Sequence, residues 1–123
     1  MMNVLAIALG AVGGALLRWR LGAWLNGSLN ALPLGTLVAN LVGCFLIGVA
    51  LAFRLPEFWK LLIVTGFLGS LTTFSTFSAE LVAQVEQEKW GGLVAMLGLH
   101  IGGGVCVMAL GAMFVKIILK SLA

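Results

Sequence analysis

Charge is what this chain has least of. Only 9% of its 123 residues are charged and 62% are hydrophobic, whereas a soluble domain is about 25% charged. A soluble fold this short could not bury so much apolar surface, because small domains keep a high ratio of surface to volume. Lipid is the solvent that suits it. The seven Lys and Arg, set against four acids for a net charge of +3, are too few and too scattered for nucleic-acid binding, which needs basic residues gathered on one face. They suit helix ends at lipid headgroups. Cysteine is limited to Cys44 and Cys106, both in apolar stretches without a CxxC pair or a His-rich pattern. That predicts two packing residues and no disulfide. The sequence also lacks a phosphate-binding loop, a catalytic triad and a cluster of metal ligands, so nothing in it points to an enzyme.

In place of these the chain has long apolar runs. Crossing ~30 Å of hydrocarbon takes roughly 20 residues at 1.5 Å each. Four such runs are present, at 3–25, 34–53, 61–85 and 91–119, within one domain's length. Pro33 opens the second at a helix-start position. The connections hold Asn26-Gly27-Ser28-Leu29-Asn30, Arg54-Leu55-Pro56-Glu57 and Glu86-Gln87-Glu88-Lys89, which are turn-rich or charged. The N-terminal apolar stretch has no basic residue ahead of it, and Arg18 and Arg20 follow that stretch, within the first run. A cleaved leader has the opposite order, so residues 2–25 read as a spanning helix. Trp19, Trp24, Trp59 and Trp90 all fall near run ends, where an indole meets both lipid and water.

Basic residues do not choose an orientation. The side shared by the termini and the second connection holds Arg54, Lys60, Lys116 and Lys120, and the other holds Arg18, Arg20 and Lys89. A chain so balanced can insert both ways. Two copies in opposite orientations would form an antiparallel homodimer, with the inverted symmetry that larger transporters build by internal duplication. No internal repeat occurs here. Gly10 and Gly14, and again Gly98 and Gly102, form GxxxG pairs suited to close helix packing. Gly102-Gly103-Gly104 weakens the fourth helix locally.

The third run changes character midway. Six of the ten residues from Gly69 to Ser78 are Ser or Thr. These hydroxyls offer the backbone competing hydrogen bonds, which predicts a break in the helix. Irregular backbone at membrane depth persists only where protein or a wet cavity satisfies it. A broken helix there frees carbonyls for a cation, and N–H groups and hydroxyls for an anion. Phe74 and Phe77 share a helical face. Their positive ring edges would favour a small anion weakly enough to let it leave. Asn40, mid-way along the second run, must be hydrogen-bonded if buried, and its NH₂ is a good anion donor. Glu80 follows Phe77 on the same face. Arg18 suits either a headgroup or a wet vestibule. His100 stands alone in an apolar run and reads as a helix–helix hydrogen bond.

These residues resemble the CrcB/Fluc fluoride-channel family. The resemblance spans the chain: Gly13-Gly14 then Arg18, Gly35-Thr36-Leu37-Val38-Ala39-Asn40, and Gly66-Phe67-Leu68-Gly69 leading into Thr72-Thr73-Phe74-Ser75-Thr76-Phe77, with Glu80 behind. It implies an all-α membrane protein of four transmembrane helices with a break in the third, assembled as an antiparallel, dual-topology homodimer. It further implies a passive, fluoride-selective channel in the bacterial inner membrane, with two pores per dimer and no nucleic-acid partner. By the same resemblance Phe74, Phe77, Asn40, Ser75, Thr76, Glu80 and Arg18 line the fluoride pathway. The backbone carbonyls of Gly69 and Thr72, from both copies, hold a structural sodium ion. The family's fourth span carries pore-facing hydroxyls, whereas this one has no Ser or Thr before Ser121.

The main alternative is a small dual-topology, proton-coupled multidrug or cation antiporter. That mechanism wants an acid deep in the first span, and here the first span has none. A structural membrane subunit is the other alternative, with the hydroxyl motif serving as helix glue.

Overall fold

The computed structural model describes residues 1–27 and 32–123. Ser28, Leu29 and Asn30 of the first expected connection lie outside the described residues. The described chain is all helical: α1 (Met2–Leu25), α2 (Leu34–Phe53), α3 (residues 57–71), α4 (Phe74–Glu86) and α5 (Trp90–Ser121). With α3 and α4 counted together, four helices are long and apolar enough to cross a membrane. The third begins at Glu57, ahead of the Leu61 that hydropathy marks, because Pro56 starts a helical turn there.

Turns between the helices are tight. Arg54 ends α2 in the left-handed region, at φ 50° and ψ 55°. After α4 the chain closes a Schellman turn: Lys89 N–H donates to the Gln84 carbonyl at 2.8 Å and Glu88 N–H to that of Val85 at 3.0 Å. Glu88, at φ 55°, holds the left-handed position that glycine usually takes there.

Glycine sets the packing. A Cβ on Gly10 would collide with the Leu62 carbonyl oxygen, and one on Gly14 with that of Phe67, so α1 and α3 touch backbone to backbone. Gly48 and Gly111 do the same for α2 and α5, against the carbonyls of Met108 and Phe45. Small residues of this kind let membrane helices gain dispersion contacts where no hydrophobic driving force exists between them. Ala39, Leu68 and Leu71, fully buried, join the two pairs, with Leu21, Ile47, Ile63 and Phe67 packed around them. The Gly10/Gly14 pair is therefore a packing motif. Gly98 and Gly102 differ, since a Cβ on either meets nothing within 4 Å. The local weakening expected at Gly102-Gly103-Gly104 takes the form of a widened, π-helical turn over Gly98–Gly103, and α5 continues through it.

The outer surface is apolar, with Leu9, Val94 and Val105 largely exposed. The four tryptophans are exposed near helix ends, and the Arg20 guanidinium lies 4.6 Å from the Trp24 ring centroid. Both features suit a bilayer boundary.

Gly14→Ala should lower thermal stability by about 1–3 kcal/mol, because overpacking forces the helices apart. Gly91→Ala, at an open position, should change it by less than about 0.5 kcal/mol. Thermal denaturation of the detergent-solubilised protein measures both.

Candidate functional site

Between Leu71 and Phe74 the backbone leaves the helix. Thr72 lies at φ −78°, ψ 149° and Thr73 at φ −149°, ψ 119°, both extended. An extended residue at this depth leaves its own N–H and C=O without helical partners, which membrane interiors do not tolerate. The Asn40 side chain takes both. Its Oδ1 accepts from Thr73 N–H at 2.7 Å, and its Nδ2 donates to the Thr73 carbonyl at 3.1 Å. The amide thus stands in for a neighbouring strand.

Hydroxyls finish the two helix ends. Thr72 Oγ1 donates to the Leu68 carbonyl at 3.0 Å, closing α3. Thr73 Oγ1 caps α4 by accepting from Thr76 N–H at 3.2 Å. The same hydroxyl donates to Thr76 Oγ1 at 3.1 Å and lies 3.3 Å from Ser75 Oγ. The N–H groups of Thr73 and Thr76 are thereby drawn away from the carbonyls of Gly69 and Thr72 four residues earlier. Those two oxygens are left for another donor or for a cation. Carbonyl oxygen is a ligand type that suits hard cations, but two such atoms form only part of a coordination shell.

Around this segment the rings assemble. Phe77 is buried at 4% exposure and stacks on His100, with centroids 4.3 Å apart and planes inclined by 22°. Phe74 meets Phe77 edge-on at 5.9 Å and is itself 78% exposed. Asn40 Nδ2 lies 3.0 Å from His100 Nδ1, so His100 forms a hydrogen bond between α5 and α2. Asn40, Gly69, Thr72, Phe74, Phe77 and His100 line one cleft of about 400 Å³. Among the described residues no carboxylate, lysine or arginine lines it. A small anion there would meet only partial positive charge, from ring edges and from the start of α4.

A second cleft of about 400 Å³ holds Arg18, Asn26, Thr36 and Thr76. Thr36 Oγ1 donates to Glu80 Oε1, and Thr36 N–H donates to Asn26 Oδ1 at 3.2 Å. The expected site residues therefore fall into two groups. Asn40, Gly69, Thr72, Phe74 and Phe77 share the first cleft. Arg18 and Thr76 share the second, and Glu80 is tied to it through Thr36. The Thr73–Thr76 hydroxyl contact bridges the two, and Ser75 sits on that bridge. Cys44 is half-buried beside the first cleft, whereas Cys106 is exposed on the apolar surface, outside the packing role its hydropathy implied.

Gln84 is a residue that sequence reading passes over. It is buried, and its Oε1, like Glu80 Oε2, has no partner among the described residues. Phe77, Glu80 and Gln84 recur at helical spacing on one face of α4, and that was the available signal.

Residues 5–112 match the family described as CrcB-like protein, Camphor Resistance (CrcB). The chain belongs to the CrcB family. It is 51% identical over 117 residues to the fluoride-specific ion channel FluC of Haemophilus ducreyi, with 94% of each chain covered. Identity is 52% to the FluC of Marinobacter nauticus and 50% to that of Pseudomonas aeruginosa, covering 89% of this chain and 90% of each relative. In this CrcB chain the extended Thr73 needs its backbone groups satisfied within a candidate membrane span, and Asn40 supplies that.

Asn40→Asp should therefore be more damaging than its size implies. The carboxylate would still accept from Thr73 N–H but would set an oxygen against the Thr73 carbonyl. We expect a loss of about 1–3 kcal/mol for the unpaired buried group, read as a fall in melting temperature, with Asn40→Gln also destabilised by its longer reach.

Proposed function

We propose that this chain is a passive fluoride channel. It lets fluoride leave the cytoplasm down its electrochemical gradient, across the bacterial inner membrane, as an antiparallel homodimer with two pathways. The observation that carries the reading is an interrupted third span, lined by Phe74, Phe77 and hydroxyls, in a chain about half identical to proteins named fluoride-specific ion channels. Hydrogen fluoride is neutral and enters through lipid, then ionises in a more alkaline cytoplasm and is trapped. A selective pore relieves this without ATP or catalytic residues.

Fluoride holds its water tightly, so a pathway must replace that shell. The Phe74 and Phe77 ring edges, the Thr73, Ser75 and Thr76 hydroxyls, and the first N–H groups of α4 provide weak, multiple partners for it. Arg18, in the second cleft, raises the local anion concentration. Glu80, held by Thr36, lies further along the same route.

A second copy is supported by what one chain leaves uncovered. Ser75 and Thr76 are exposed beside the break in the third span, as is Gly69 with its freed carbonyl. Lipid cannot satisfy polar groups at that depth, so another protein surface or water must. An inverted copy fits the balanced basic residues. Paired copies would bring four carbonyls, from Gly69 and Thr72 of each, around one sodium ion, whose role is to hold the interface. Exchange of sodium for a large organic cation should then lower the dimer's thermal stability.

Vesicles containing the purified protein, loaded with fluoride and read with a fluoride electrode, test the function. Selective fluoride release without a proton gradient is expected, with chloride retained. Phe77→Ile and Phe74→Ile should each cut the rate by about tenfold or more, equivalent to ~1.4 kcal/mol of barrier, while the protein elutes as wild type. Full flux in both variants would remove the rings from the mechanism. Release of a lipophilic cation only under a proton gradient would favour the antiporter, and silence a structural subunit.

A further inference from the structure

The fourth span is poor in the groups its neighbours supply. From Gly91 to Val115 its only polar side chain, cysteine aside, is His100. The setting of that imidazole follows from its partners. Thr73 dictates the orientation of the Asn40 amide: the peptide N–H needs Oδ1, and the peptide carbonyl takes one Nδ2 hydrogen. The other Nδ2 hydrogen faces His100 Nδ1 at 3.0 Å, so that ring nitrogen is bare and accepts. A neutral imidazole with a bare Nδ1 carries its hydrogen on Nε2. Stacking on Phe77 fixes the plane of the ring.

The Nε2–H is then a donor without a partner among the described residues. His100 lines the cleft of Asn40, Phe74 and Phe77, and also an adjoining one of about 490 Å³ with Cys44 and Met108. It sits in the widened turn Gly98–Gly103, and such turns recur at functional sites. Gly98 and Gly102 beside it leave open space on the helix surface. Both Asn40 amide hydrogens are already engaged, which makes the imidazole, rather than the amide, the free donor at this level of the bundle.

We propose that His100 is a pathway residue whose Nε2–H donates to the passing anion, with its tautomer set by the Asn40–Thr73 clasp. The assignment rests on the fluoride-channel reading and adds to it a donor from α5.

Two variants separate donation from packing. His100→Asn keeps an acceptor for Asn40 Nδ2 but has no N–H at the Nε2 position. His100→Gln restores an N–H at that reach. His100→Asn should lose about tenfold in fluoride flux and His100→Gln should recover most of it, while thermal stability, lowered in both by loss of the ring stacked on Phe77, falls no further in His100→Asn than in His100→Gln. Wild-type flux in His100→Asn overturns the assignment, as does equal loss in both variants. Nitrogen NMR of the wild-type imidazole should show Nδ1 bare and Nε2 protonated, with the Nε2 signal moving on addition of fluoride but not chloride. A hydrogen on Nδ1, or an Nε2 signal blind to fluoride, overturns it without any variant. Silent wild-type vesicles would overturn the channel reading as a whole. Wild-type flux with an insensitive His100→Asn overturns only this assignment.

Discussion

One amide against one peptide group carries the organisation of this molecule. Asn40 pairs with both polar groups of Thr73, and without that pairing an extended residue inside a membrane helix would leave two unsatisfied groups in hydrocarbon, at several kcal/mol each. Everything near the break follows from it. The Thr73 hydroxyl is free to cap α4, Phe74 and Phe77 start a new helix with their rings on one side, and the Gly69 and Thr72 carbonyls are released from their helical duty.

The same clasp is also a relay. Its second amide hydrogen reaches His100 on α5, and His100 stacks on Phe77. Asn40 thus ties α2, the break and α5 into a closed circuit of contacts. Close glycine seams keep the surrounding frame rigid. Gly10 and Gly14 fix α1 on α3, and Gly48 and Gly111 fix α2 on α5, so the four groups of the circuit are held from both sides. Such preorganisation suits a path in which each partner binds a tightly hydrated ion only weakly and must already be in position.

The two phenylalanines beside the extended Thr72-Thr73 pair differ in cover. Phe74 is largely exposed while Phe77 is buried, and Ser75 and Thr76 are exposed residues whose hydroxyls reach back to that of Thr73. Membrane proteins tolerate such groups against protein or water rather than lipid. The asymmetry between the two phenylalanines follows from their place in α4. Phe74 opens the helix, and Phe77 lies one turn in, where His100 covers it.

The amino-acid sequence alone determined the membrane class, the four apolar runs and the family, because apolar length and scarcity of charge are one-dimensional properties. It also marked the Gly69–Ser78 stretch as unlike the rest of its span, since hydroxyl density is visible without coordinates. What it could not determine was which distant side chain would satisfy that stretch. Asn40 lies 33 residues from Thr73 and 60 from His100, and no local pattern encodes such pairings. Likewise Gly10/Gly14 and Gly98/Gly102 are identical motifs on paper, yet only the first meets another backbone. Tertiary structure decided these matters because hydrogen bonds and close packing are settled by distance in space, which spacing along the chain does not fix.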